Sequence, residues 1–312
     1  MSLISVFLSI APIFAVIILG HFLRRRGVPN TEFWNFNDKL VYWVLMPALL
    51  FYKTSTIDIS FQLLGSYSVV ILGGFFAALI FGLMSSHLAG LPSSVSSSVM
   101  QGAARHNTFI ALSIADSVFG AEGLALAALA TALLIPVTNL SIVPMMVVLN
   151  QKGRQGGVIR AVISDLGRNP LLLAVGAGLA FNVIGAKDVP VLHETTGMLG
   201  SAALPVVLMC VGANLRWRVM ETSMTPLALS ILGKLIVFPI VTVFLAIQLG
   251  LSNLEIFIAL LFAAAPTASS SYTLARQMGG DAPVMAAITT IQTGLAFISL
   301  PLSLLLLERF LS

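Results

Sequence analysis

Long apolar runs, separated by short polar stretches, recur along this chain of 312 residues. A helix that crosses a bilayer needs about 20 mostly apolar residues. On that measure the pattern predicts ten membrane-spanning helices, at about 3–23, 36–55, 63–84, 93–118, 123–149, 170–186, 195–215, 225–250, 254–277 and 283–307. The fourth and ninth carry polar interruptions, yet the series needs both. Without either, long polar loops would fall on the wrong side of the membrane.

Composition points the same way. The chain is 58% hydrophobic and 9% charged, against about 25% charged residues in a typical soluble domain. So few charges cannot cover a water-facing surface, so lipid is the expected solvent. The basic excess of four is small and scattered, which argues against nucleic acid as a partner. Cys210 is the single cysteine, which excludes an internal disulfide and a multi-cysteine metal site. The four histidines show no ligand spacing, and His87 and His193 read as loop residues. No metal or cofactor is therefore expected. Arg24, Arg25 and Arg26 follow the first apolar run instead of preceding it, so that run does not read as a cleavable signal.

The Lys/Arg bias orients the helices. With the N-terminus outside, the inner side holds Arg24, Arg25, Arg26, Lys39, Lys152, Arg154, Arg160, Arg168, Arg216, Arg218 and Arg276. The outer side holds Lys53, Lys187 and Arg309. Both termini are therefore expected outside. Trp34 and Tyr52 fall near opposite ends of the second span, where interfacial aromatics belong. In the long inner loop, Val158, Ile159, Val162, Ile163 and Leu166 recur at helical spacing. They predict a short interfacial linker helix, or a frayed end of the fifth span.

The two halves echo each other. Pro12 and Pro170 are 158 residues apart, as are Pro47 and Pro205. The end of the fourth span, through Gly120, matches the end of the ninth, through Gly280, at an offset of 160. The fifth and tenth each carry a late proline, Pro144 and Pro301. An odd number of spans per half reverses the polarity of the second half. The expected fold is thus an all-α membrane protein built as a 5+5 inverted repeat, an architecture common in secondary transporters. Residues 1–150 form the first repeat, 151–169 the linker and 170–312 the second repeat.

The candidate site lies where the fourth and ninth spans lose their apolar character. One carries Arg105, His106, Asn107 and Thr108; the other carries Pro266, Thr267, Ser269 and Ser270. Proline removes a backbone donor and disrupts the preceding turn. Backbone freed in this way must line a protein or water cavity. Two half-helix N-termini meeting there would favour an anion, and the Arg105 guanidinium suits a carboxylate. Asn139 and Gln292 are polar at similar depth and join the candidate lining. Other roles remain open at this point. Arg105 is alternatively a structural cation paired with backbone carbonyls or Asp116. Asn107 alternatively repairs the break, the serines 269–271 serve helix packing, His106 is a hydrogen-bonded core residue, and Lys234 snorkels or pairs.

These residues resemble the auxin efflux carrier family, in particular its short bacterial members named as malonate or malate carriers. The resemblance rests on Leu45-Met-Pro47-Ala-Leu-Leu-Phe51, Arg105-His-Asn107-Thr-Phe109 before Gly120, and Leu204-Pro205 with Val211-Gly-Ala-Asn214-Leu. Most specific is Ala265-Pro266-Thr-Ala-Ser followed by Leu274-Ala-Arg276 and Gly279-Gly-Asp281. The resemblance implies a fold similar to bile acid sodium symporters and to sodium/proton antiporters with crossed, broken helices four and nine. It also implies a scaffold of spans one, two, six and seven, a moving domain of spans three to five and eight to ten, and a homodimer. The plant carriers place proline after the asparagine of the first crossover. Here Thr108 follows Asn107, so the plant substrate is not carried over.

The leading expectation is a secondary carrier of a small organic anion, a mono- or dicarboxylate. It works by elevator-type alternating access in a cell membrane, as in a bacterial inner membrane. Coupling to Na+ or H+ stays open. A sodium- or proton-coupled cation exchanger on the same fold, or a membrane sensor, are the alternatives. Motifs of hydrolases, zinc proteases and ATP-driven pumps are missing, so no enzyme is expected.

Overall fold

A computed structural model describes residues 3–56, 61–150, 164, 167–216 and 223–311. The linker helix expected around 158–166, and the basic residues Lys152, Arg154, Arg160 and Arg218, lie outside this set. The described residues are helical, joined by short turns, with no strands among them. The first half comprises α1 (Leu3–Arg26), α2 (Thr31–Leu40), α3 (Met46–Thr56), α4 (Phe61–Leu88), α5 (Ser93–Ala104) and α6 (Thr108–Asn150). The second comprises α7 (Pro170–Val183), α8 (Leu192–Ala213), α9 (Met224–Leu232), α10 (Phe238–Gln248), α11 (Asn253–Ala264), α12 (Ser270–Met278) and α13 (Ala282–Leu311).

Among the described residues, six stretches are long and apolar enough to cross a membrane: Ser5–Arg26, Gly65–Leu88, Ser93–Asn150, Leu192–Ala213, Met224–Gln248 and Ala282–Leu311. Two shorter apolar helices, Pro170–Val183 and Asn253–Ala264, accompany them. Ile18, Ile80, Ile240 and Ile298 are exposed on the outer faces of these stretches. A water-facing surface would expel them; a lipid-facing one favours them. The protein is an integral membrane protein.

Proline explains several local features. A π turn, Val41–Leu45, joins α2 to α3, and another, Gly233–Val237, joins α9 to α10. Each ends two residues before a proline, Pro47 or Pro239. The ring has no N–H to donate and crowds the carbonyl four residues back, and the helix widens to accommodate it. The long α6 contains a sharp turn at Gly120, with φ 63° and ψ −151°. A side chain there would meet open space, so backbone conformation, not crowding, favours glycine.

Close helix packing repeats with the period of the sequence echo. α1 packs on α8, and α3 on α7. A Cβ on Gly20 of α1 would collide with the Met209 carbonyl. A Cβ on Gly178 of α7 would lie 2.7 Å from the Phe51 carbonyl oxygen and closer still to Thr54 Oγ1. Gly20 and Gly178 are 158 residues apart, and so are Phe51 and Met209. Small residues let membrane helices approach backbone to backbone, where dispersion replaces the hydrophobic effect as the driving force.

Three residues differ from expectation. His87 is not in a loop but exposed in the last turn of α4. Trp34 is buried at 2% exposure against the core, not set in an aromatic belt. His193 is no loop residue. It is buried in the first turn of α8, 3.0 Å from Ser55 Oγ through Nε2, and its Nδ1 accepts from the Val189 amide. A polar ring near a span end is indistinguishable from a loop residue until its partners from another helix are known.

Candidate functional site

Two helix breaks lie against each other at the centre of the bundle. α5 ends at Ala104, and Arg105 turns extended with φ −66° and ψ 147°. α11 ends at Ala264, and Ala265 turns extended with φ −60° and ψ 138°. The two turning residues are 160 apart in sequence. Their amides close equivalent last turns, Arg105 N–H to Gln101 O and Ala265 N–H to Leu261 O, each at 2.8 Å. The chain resumes helix at Thr108 in one case and at Ser270 in the other.

The freed backbone groups are satisfied by a small network. The Asn107 amide donates to the Pro266 carbonyl at 2.7 Å and so ties one break to the other. Asn107 Oδ1 accepts from the Phe109 and Ile110 amides at 3.1 and 3.3 Å, capping the new helix. Gln292 of α13 spans the junction. Its Oε1 accepts from the Thr267 amide at 3.0 Å and from Thr267 Oγ1 at 2.6 Å. Its Nε2 donates to the carbonyls of Gly102 at 2.9 Å and Ser230 at 3.3 Å. The brace thus reaches α5, α9, α13 and the second break. In the low dielectric of the interior, such groups are costly if left unpaired.

A cavity of about 530 Å³ opens beside the breaks. It is lined by Arg105, His106, Asn107, Thr108, Asn139, Ser269 and Ser270 from the sequence-derived set. Pro266, Thr267 and Gln292, grouped with them by sequence, do not line it. They are buried in the brace behind it. The sequence registered their polarity at mid-helix but not the direction each side chain takes.

The cavity has buried polar atoms without partners. Arg105 Nη1, His106 Nδ1, Thr138 Oγ1 and Ser269 Oγ are buried and lack a hydrogen-bond partner among the described residues, and all four belong to residues that line this cavity. At the start of α12, the Ser269 side chain makes no capping bond, so that helix end also lacks its usual side-chain acceptor. Native interiors satisfy most buried polar atoms, so several unsatisfied atoms around one space mark a place for a polar guest. The pairing of Arg105 with Asp116 is not observed. Asp116 lines a second cavity of about 410 Å³, with Tyr52, Lys53 and Ser201.

Tertiary structure adds residues that sequence reading left out. Asp38, Asn214 and Arg216 line the first cavity. Asn214 Nδ2 donates to the Asp38 carboxylate at 3.2 and 3.4 Å. The Arg216 guanidinium lies over the Tyr272 ring, 4.0 Å from its centroid. The cavity therefore holds two guanidinium groups and one carboxylate already tied to an amide. Asn214 belonged to a recognised motif; nothing local set Asp38 or Arg216 apart from other charges at span ends.

Comparison with known proteins bears on this geometry. The family model described as membrane transport protein matches residues 157–304. An uncharacterized transporter of Methanothermobacter thermautotrophicus (strain Delta H) is 25% identical over 305 residues, covering 94% of this chain and 96% of its own. Both point to a transporter and not to an enzyme. They support the auxin efflux carrier family read from the motifs. A transporter needs a polar site within its membrane helices. The cavity at the two breaks answers that need with residues from both halves of the chain.

Proposed function

We propose that this protein is a secondary carrier of a small organic anion, a mono- or dicarboxylate, bound in the cavity beside the two helix breaks. The observation that carries this reading is the set of unpartnered buried atoms around that cavity, with Arg105 Nη1 among them. Two guanidinium groups outweigh one carboxylate there, and a planar guanidinium matches a carboxylate in bidentate fashion. The helix that starts at Ser270 adds the positive end of its dipole.

On this reading the chain has ten membrane passes in two inverted halves, with α5–α6 and α11–α12 as the broken pair and both termini outside. The equal spacing of the close contacts at Gly20 and Gly178 supports the repeat. The glycine-locked helices α1, α3, α7 and α8 form the scaffold, and the remainder moves with the anion as an elevator. A homodimer anchored through the scaffold would give that movement a fixed frame. Asp38, Asn169, Asn214 and Arg216 at the cavity rim belong to the ends that the charge bias places inside. Tyr52 and Lys53 at the second cavity belong to the outer ends. The conformation is therefore read as inward-open.

Asp38 favours a second reading, a cation exchanger, because a carboxylate lines the cavity. Its bond to Asn214 and the two nearby arginines weigh against it. Uptake of labelled malonate, malate, acetate and lactate into proteoliposomes separates the two readings. Saturable uptake of one of these anions, abolished by excess unlabelled anion, is the expected result. Uptake of none, with exchange of labelled sodium for protons instead, would refute the anion reading.

A further inference from the structure

Lys234 has no part in the cavity and needs its own account. It is 0% exposed, in the π turn Gly233–Val237 between α9 and α10. Its Nζ donates to the Phe262 carbonyl at 3.4 Å and sits 4.4 Å from the centroid of the Phe238 ring. Neither partner is a carboxylate. A lysine on a membrane helix usually snorkels to the interface or pairs with an acid, and Lys234 does neither.

Its position supplies the missing counter-charge. Phe262 is in the last turn of α11, whose C-terminus at Ala264 meets the break. The same π turn touches the other broken helix: a Cβ on Gly233 would lie 2.6 Å from Ala103 Cβ, one residue before α5 ends. The lysine thus sits on a carbonyl near the α11 C-terminus, and its neighbour Gly233 packs on the end of α5. The α11 end carries roughly half a negative charge on its last carbonyls, whereas the Gly102 carbonyl of α5 already accepts from Gln292. In a low dielectric that charge must be offset, and a transporter can offset it with a bound metal cation or with a side chain.

We infer that Lys234 is a resident cation of the junction, held against the carbonyl end of α11 where a bound metal ion would otherwise be needed, so that this carrier turns over without sodium. A fixed ammonium on the Phe262 carbonyl repels a second cation from the same carbonyls.

The inference needs the junction, not a particular substrate, so the first test leaves transport aside. The melting temperature of the detergent-purified protein is measured in sodium, lithium, potassium or N-methylglucamine chloride at equal ionic strength. Wild type should melt within about 1 °C in all four. Lys234→Met keeps the stem and removes the charge. It should melt several degrees lower in N-methylglucamine and recover part of the loss in sodium or lithium, which a purely steric role would not produce. A wild type stabilised by sodium over N-methylglucamine would overturn the inference. So would a Lys234→Met protein that melts like wild type, or one that gains nothing from any metal cation. The second test follows labelled malonate or malate into wild-type proteoliposomes with and without sodium. Equal rates are expected, and uptake that requires sodium would overturn the inference. Absence of uptake under either condition would bear on the carboxylate reading, while the melting data would still decide the role of Lys234.

Discussion

Replacing Arg105 tests the proposed anion site most directly. Its Nη1 is buried and unpartnered among the described residues, and it forms no ion pair with Asp116, which lines the other cavity. Truncation to alanine therefore leaves no carboxylate stranded and costs little folding stability. It removes the group that would grip the anion. A charge-assisted contact is worth about 1.5–3 kcal/mol, which corresponds to roughly 10- to 150-fold in affinity. Ser269→Ala removes one neutral hydroxyl from the same cavity, worth about 1 kcal/mol or roughly fivefold. Arg105→Lys keeps the charge but loses the planar fork, so it should fall between wild type and alanine. Binding of whichever carboxylate the flux screen identifies is read by calorimetry on the purified protein, with melting temperature as the control for folding. Unchanged affinity in an Arg105→Ala protein that melts like wild type would refute the recognition role. The start of α12 and Arg216 would then be left as the anion's partners.

Other parts of the fold make equally definite forecasts. Gln292→Ala should lower the melting temperature by the equivalent of about 1–3 kcal/mol, because it strands the Thr267 amide in the interior; a melting point within 1 °C of wild type would remove the brace from the account. Gly20→Ala and Gly178→Ala, each forced against a neighbouring carbonyl, should each destabilise by about 1–3 kcal/mol through overpacking, and two unaltered melting curves would contradict the tight scaffold. Cysteines introduced at Ser2 and Leu311 should react with an impermeant maleimide from outside the cell, Cys210 being buried; labelling from the cytoplasmic side alone would reverse the topology.

The sequence alone was enough for the class and for the positions of the elements. Hydrophobic run length marks helices because lipid forces every backbone group to bond within its own segment. The described helices start and end close to the expected limits. The two breaks were also legible, since Pro266 and the Arg105–Thr108 cluster cannot continue an ordinary apolar helix. The paired prolines announced a spacing of 158 residues, and the glycine contacts at Gly20 and Gly178 use the same spacing. What each polar side chain faces was not legible. Gln292 and Asn139 look alike in a hydropathy profile, yet one braces the junction and the other lines the cavity. Asp38, Asn214 and Arg216 meet Arg105 only after helices distant in sequence pack together. Lys234 was ambiguous because a lysine amid apolar residues carries no record of its partner. The carbonyl it meets belongs to a residue 28 positions away, and only the folded junction brings the two together.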